Sequence, residues 1–215
     1  MFIIIAWHKF VSGERMRAKE RNDLLISWVT ISVAFAFVLG PGLLNIVDFG
    51  FFLPISFVGV GTAFIFHELA HRQVARKFGC HAEFRAWTYG LIISLVLPII
   101  TFGRFLFAAP GAVYIYGPHL TRKENGIISL AGPATNIIVG ITFLAAFIYS
   151  VAFLQVGAYL LELLATVAKI NIFLALFNLI PFPPLDGSKV IMWDVRVWAL
   201  AFFPLLLFFF SFPLI

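Results

Sequence analysis

The residues with the most chemistry in this 215-residue chain are His67, Glu68 and His71, in the stretch FIFHELAHRQVARKFG at 64–79. They end an apolar run, where an ionisable side chain costs on the order of 3 kcal/mol at the centre of a bilayer and less near its edge. Three such groups within five positions are hard to read as accidental core residues. On a helix, residues four apart lie one turn up and about 40° round, so the rings of His67 and His71 face the same way. Two imidazoles so placed can grip one metal ion. Glu68, roughly 100° round from His67, can reach a water on that ion without ligating it. The spacing H-E-x-x-H therefore describes two zinc ligands and a general base, and chance would produce it in only about 3 of 1,000 shuffled sequences.

A catalytic zinc takes a third protein ligand and leaves its fourth place to water. The chain has only ten acidic residues to offer. Glu14, Glu20 and Asp23 precede the first apolar run, Asp48 lies between the first two, and Glu83 and Glu124 sit in basic loops. Glu162 and Lys169, seven apart in an apolar run, are too far along the axis to pair and receive no role. Asp186 follows Pro181, Pro183 and Pro184 and precedes Gly187. Prolines without backbone donors break a helix there, which lets a short carboxylate point inward. Asp194 is the rival, although MWDVR reads as an interfacial helix end beside Arg196.

The elements that must bring these groups together are membrane spans. Hydrophobic residues make up 62% of the chain and charged ones 12%, with a mean hydropathy of +1.02. That composition predicts an all-α polytopic membrane protein, a single domain over 1–215 with its core at about 51–190. The lone Cys80 excludes an internal disulfide and a multi-cysteine metal site. The net charge of +5 fits basic loops on an anionic membrane surface rather than nucleic acid. MFIIIAW lacks the charged start and the length of a cleaved signal, so the N-terminus is expected to be retained.

Apolar runs cover about 24–40, 51–71, 89–117, 126–153, 157–180 and 197–215, which predicts five to six transmembrane segments. Lys9, Arg15, Arg17, Lys19 and Arg21 precede the first, and Arg72, Arg76, Lys77 and Arg85 follow the second. PGLLNIVDFG between them carries no cation. The charge bias puts the N-terminus in the cytoplasm and the second span back on that side. His67 stands five residues before Arg72, about 7 Å along the axis, so the site lies near the cytoplasmic face. The run 89–117 is divided by Arg104 and flanked by cations at both ends. It reads as a re-entrant or interfacial hairpin, partly β through GLIISLVL and GAVYIYG. His71 and Asp186 can share a depth only if the intervening crossings are even in number. Two spans at 126–180 satisfy this when the hairpin makes none.

With those residues in hand, the chain resembles the site-2 protease family of intramembrane zinc metalloproteases, in a compact form without PDZ or CBS domains. HELAH at 67–71 resembles the family's zinc helix, AGPATN at 131–136 its G-P-x-x-N element, and NLIPFPPLDG at 178–187 its N-x-x-P…DG element. The resemblance implies zinc held by His67, His71 and Asp186, with Glu68 as the base that deprotonates a zinc-activated water. It implies Asn178 as an oxyanion-stabilising residue and Asn136 as a substrate-positioning one. The expected partners are the lipid bilayer and single-span membrane proteins, cut within or beside their transmembrane segments. A membrane adaptor that keeps the fold and the metal without cutting is the alternative, and it has no use for Glu68.

Overall fold

A computed structural model describes residues 16–40, 46–107, 110–117 and 119–211. Lys9, Glu14 and Arg15, which entered the charge and ligand arguments, lie outside the described residues, as do the last four positions of the final run.

Helix α1 is Ala18–Leu39. Helix α2 (Ile46–Val60) runs through a π-helical turn at Gly61–Ile65 into α3 (Phe66–Lys77), making one 32-residue rod. Strand β1 (His81–Ala86), helix α4 (Thr88–Ile100) and strand β2 (Gly111–Tyr116) follow. Then come α5 (Arg122–Phe153), α6 (Ala158–Asn178), the short α7 (Asp186–Trp193) and α8 (Val195–Ser211). Among the described residues, four helices are long and apolar enough to cross a bilayer, namely α1, the α2–α3 rod, α5 and α6. The shorter apolar helices α4 and α8 complete a mostly helical, multi-pass membrane protein.

Three sequence expectations are corrected. Glu20 and Asp23 lie inside α1 rather than ahead of it. Glu83 is on β1 and not in a loop, while Glu124 forms a capping box with Thr121 at the start of α5. GLIISLVL is helical within α4, so only GAVYIY supplies β structure.

The segment from α4 to β2 is a hairpin laid along α1. At its base the Trp87 N–H donates to the Pro110 carbonyl (2.7 Å), and the Ala86 N–H reaches Asp23 Oδ2 (3.4 Å) near the start of α1. At its tip the chain reverses through Phe102 (φ 54°) and Gly103 (φ 77°). A Cβ on Gly103 would lie 3.0 Å from the Phe37 carbonyl, so the tip reaches the other end of α1. Thirteen residues of α4 advance about 20 Å, matching the distance along α1 from Asp23 to Phe37. The hairpin goes in and comes back, with no net advance along α1.

The two strands pair antiparallel, with Ala82 opposite Ile115, Phe84 opposite Val113 and Ala86 opposite Gly111. The Phe84 N–H donates to Glu20 Oε1 (3.3 Å), and Arg72 Nε donates to the Ala82 carbonyl (3.3 Å). Residues 82, 84 and 86 thus turn their backbone polar groups away from β2. In an antiparallel ladder their opposite numbers, Ile115, Val113 and Gly111, must turn theirs away from β1. One edge of the sheet is occupied by α1 and α3, and among the described residues no strand pairs with the other, which is open. Phe84 anchors the sheet by packing edge-on to Phe64 (5.4 Å) in a core with Leu24, Ile31, Phe35 and Ile170.

Candidate metal centre

The paired histidines are aimed by the turn before them. A π turn widens the helix by one residue and shifts the face that follows. Here it is held by side chains that serve the nearby backbone. Trp28 Nε1 donates to the Phe57 carbonyl (3.0 Å), Thr62 Oγ1 to the Gly59 carbonyl (2.9 Å), and Asn171 Nδ2 to Thr62 Oγ1 (3.0 Å).

Asp186 is delivered from the far end of the chain. Beyond α6 the prolines prevent helix, and Leu185 is extended (φ −62°, ψ 155°) before α7 begins at Asp186. Gly187 is required here because a Cβ would collide with the Leu179 carbonyl. That carbonyl is held by Trp198 Nε1 at 2.7 Å.

His67 Nε2, His71 Nε2 and Asp186 Oδ2 converge in the interior. The two nitrogens are 2.9 Å apart, and Oδ2 lies 3.2 Å from His67 and 3.0 Å from His71. His71 Nδ1 donates to the Ile128 carbonyl (2.7 Å), which directs the lone pair of Nε2 toward the other two atoms. A tetrahedral zinc with bonds of about 2.0–2.1 Å spaces its ligand atoms about 3.3 Å apart. The three atoms nearly match that triangle, all buried, and the donor set of two imidazoles and one carboxylate fits zinc. Gly132 on α5 makes room for it, since a Cβ there would stand 2.5 Å from both Nε2 atoms. The pair Gly132-Pro133 is thus a close-packing site against the histidines.

The structure brings Asp186, and not Asp194, to the histidines. Asp194 instead caps α8 by accepting from the Arg196 N–H (2.8 Å). The same arginine holds the Asp194 carboxyl below its ordinary range. Glu68 and Asn178 line a cavity of about 170 Å³ together with His67, His71 and Asp186. Asn178 Nδ2 also donates to the Leu174 carbonyl (2.9 Å), one turn back. Asn136 is fully buried behind the histidines and is not among the residues lining that cavity.

One feature escaped the sequence reading. Lys189 lines the cavity and places Nζ 3.8 Å from Asp186 Oδ1, the oxygen turned away from the histidines. Its signal was the i,i+3 spacing from Asp186 on a helix. The open edge of β2 also lines the cavity, through Gly111, Val113 and Ile115.

A helical membrane bundle that buries an H-E-x-x-H pair beside a distant aspartate defines a class, the membrane-embedded zinc hydrolases. The chain is 44% identical over 192 residues to MJ0611 of Methanocaldococcus jannaschii, which is named as a zinc metalloprotease; the match covers 89% of this chain and 93% of the relative. It is 29% identical to YwhC of Bacillus subtilis (65% and 68% covered) and 31% identical to Rip3 of Mycobacterium tuberculosis (58% and 27%), both also named zinc metalloproteases. No family profile matches the chain, and no solved structure matches it. The chain belongs to the site-2 protease family of zinc metalloproteases.

Proposed function

We propose that this protein is an intramembrane endopeptidase that hydrolyses a peptide bond within or beside the transmembrane segment of a single-span membrane protein, with Glu68 as general base. The observation that carries this reading is one cavity shared by the histidine pair, Asp186, Glu68 and the open edge of a β-strand.

His67, His71 and Asp186 are the residues that would hold zinc. When bound, zinc supplies Lewis acidity, making water a usable nucleophile near neutral pH and polarising the substrate carbonyl. Glu68 takes the proton of the attacking water and returns it to the leaving amine. Asn178 lines the same cavity, and the amide hydrogen that it does not give to the Leu174 carbonyl is the donor assigned to the developing oxyanion. A transmembrane helix must unwind before its peptide bonds become accessible. The outward backbone groups of Val113 and Ile115 offer such a strand the partners it loses on unwinding. Arg72, Arg76 and Lys77 follow His71 within two turns, which supports a site near the cytoplasmic face of the cell membrane and an N-terminus on that side.

The test is a reconstituted cleavage assay with a single-span fusion substrate. The parent should release a product in a chelator-sensitive manner. Glu68→Gln should keep its zinc and lose about 10²–10⁴-fold in rate. Undiminished cleavage by that variant overturns the mechanism; parent protein that binds zinc and cuts no membrane substrate favours an adaptor.

A further inference from the structure

His71 and His67 differ in what lies behind them. His71 donates its Nδ1–H to the Ile128 carbonyl at 2.7 Å. His67 Nδ1 is buried and completes no hydrogen bond among the described residues. Imidazoles that bind metal through one nitrogen ordinarily give the proton on the other to a fixed acceptor, which sets the tautomer and the ring angle. The histidine pair is therefore half supported.

The missing acceptor is adjacent. Asn136 is 0% exposed, and both its amide atoms are buried without a completed hydrogen bond among the described residues. Its side chain lies near enough to His67 to act on that imidazole, and neither group completes a hydrogen bond. The backbone of α5 accounts for this direction. Gly132, four residues earlier, faces His67 so closely that a Cβ would sit 2.6 Å from its Cε1. Residues four apart share a helix face, so Asn136 projects toward the same ring one turn on. Two unsatisfied polar groups thus face each other in the interior, where either alone is costly.

We propose that Asn136 is a positioning residue for His67, its Oδ1 accepting the Nδ1–H of His67 so that Nε2 presents its lone pair to the metal. This role differs from the substrate-positioning one that the family resemblance implies, since it acts through a ligand and not through substrate. It rests on the reading of His67, His71 and Asp186 as the zinc ligands.

The experiment is zinc titration of the purified, metal-stripped protein against a competing chelator, with the absorption spectrum of the Co²⁺-loaded protein as second readout. Asn136→Leu keeps the size and removes the acceptor; it should weaken zinc about 10–100-fold and alter the Co²⁺ ligand-field bands. Asn136→Asp keeps shape and acceptor, and should bind zinc as tightly as the parent or more so. Parent-like affinity and spectrum in Asn136→Leu overturn the proposal. Should Asn136→Leu fail to fold, a tenfold or greater loss of affinity in folded Asn136→Asp overturns it equally. His67→Ala separates the premises. If His67→Ala binds zinc like the parent, the ligand assignment fails; if it loses zinc while Asn136→Leu does not, only the role of Asn136 fails.

Discussion

Glu20 and Arg72, fifty-two positions apart, form a buried ion pair with Arg72 Nε 2.9 Å from Glu20 Oε1. The pair ties α1 to the helix that carries both histidines, and each partner also holds β1: Glu20 through the Phe84 N–H, Arg72 through the Ala82 carbonyl. Removing one member of such a pair strands the other charge. Glu20→Ala should therefore destabilise the protein by about 3–5 kcal/mol. Unfolding followed by circular dichroism in detergent reads this; a loss below 1 kcal/mol is the result that contradicts it.

Gly132→Ala tests the close approach of α5 to the histidines. The added methyl would meet both Nε2 atoms at 2.5 Å, so zinc content in the purified variant should fall at least tenfold. Gly50→Ala is the control, because nothing lies within 4 Å of a Cβ there. Metal analysis of the two variants side by side decides the point, and equal zinc in both contradicts it.

Asp186 and Asp194 should separate cleanly by the same measurement. Asp186→Ala should leave little zinc, since a tetrahedral site loses one of three protein ligands. Asp194→Ala should keep a full complement, its carboxylate being engaged with the N-terminus of α8. The opposite pattern would transfer the ligand role to Asp194.

Lys189 faces the oxygen of Asp186 that the histidines leave free. Lys189→Met removes the nearby cation of the cavity but no ligand. Zinc content should stay at one per chain, while kcat/KM falls about tenfold from lost stabilisation of developing negative charge, or about 1.4 kcal/mol. Unchanged kcat/KM would show the lysine to be a bystander.

The open edge of β2 makes a prediction that needs no mutation. When Glu68→Gln protein holds an uncut substrate, the amides of Val113 and Ile115 should exchange with deuterium at least tenfold more slowly. Ala112 and Tyr114, directed toward β1, should change little. Uniform protection, or none, argues against strand pairing there.

Much of this architecture was legible because its signals are local. The spacing of His67, Glu68 and His71 needs only one helical turn to become geometry. The proline run marks where a helix must stop, and that placed Asp186 ahead of its rival. Flanking cations marked the hairpin as returning to its starting side.

What was not legible depends on tertiary partners. HAEFRA alternates polar and apolar residues over only six positions, two of them alanine, and it holds as a strand because Glu20, Asp23 and Arg72 receive its outer edge. Its Glu83 is held below the usual carboxylate range by hydrogen bonding to Arg85. GLIISLVL is rich in β-branched residues, yet a short, wholly apolar run carries no period that separates helix from strand. The unsatisfied faces of Asn136 and His67 appear only once two helices are packed together.

An unpaired strand edge ordinarily invites association between copies and, from there, aggregation. In this sheet one margin is sealed by two carboxylates and a guanidinium, and the other is recessed within the cavity. The fold thus keeps its free strand edge on the wall of the cavity that holds His67, Glu68 and Asp186. On the proposed reading, an unwound segment added to that edge comes to rest beside Glu68.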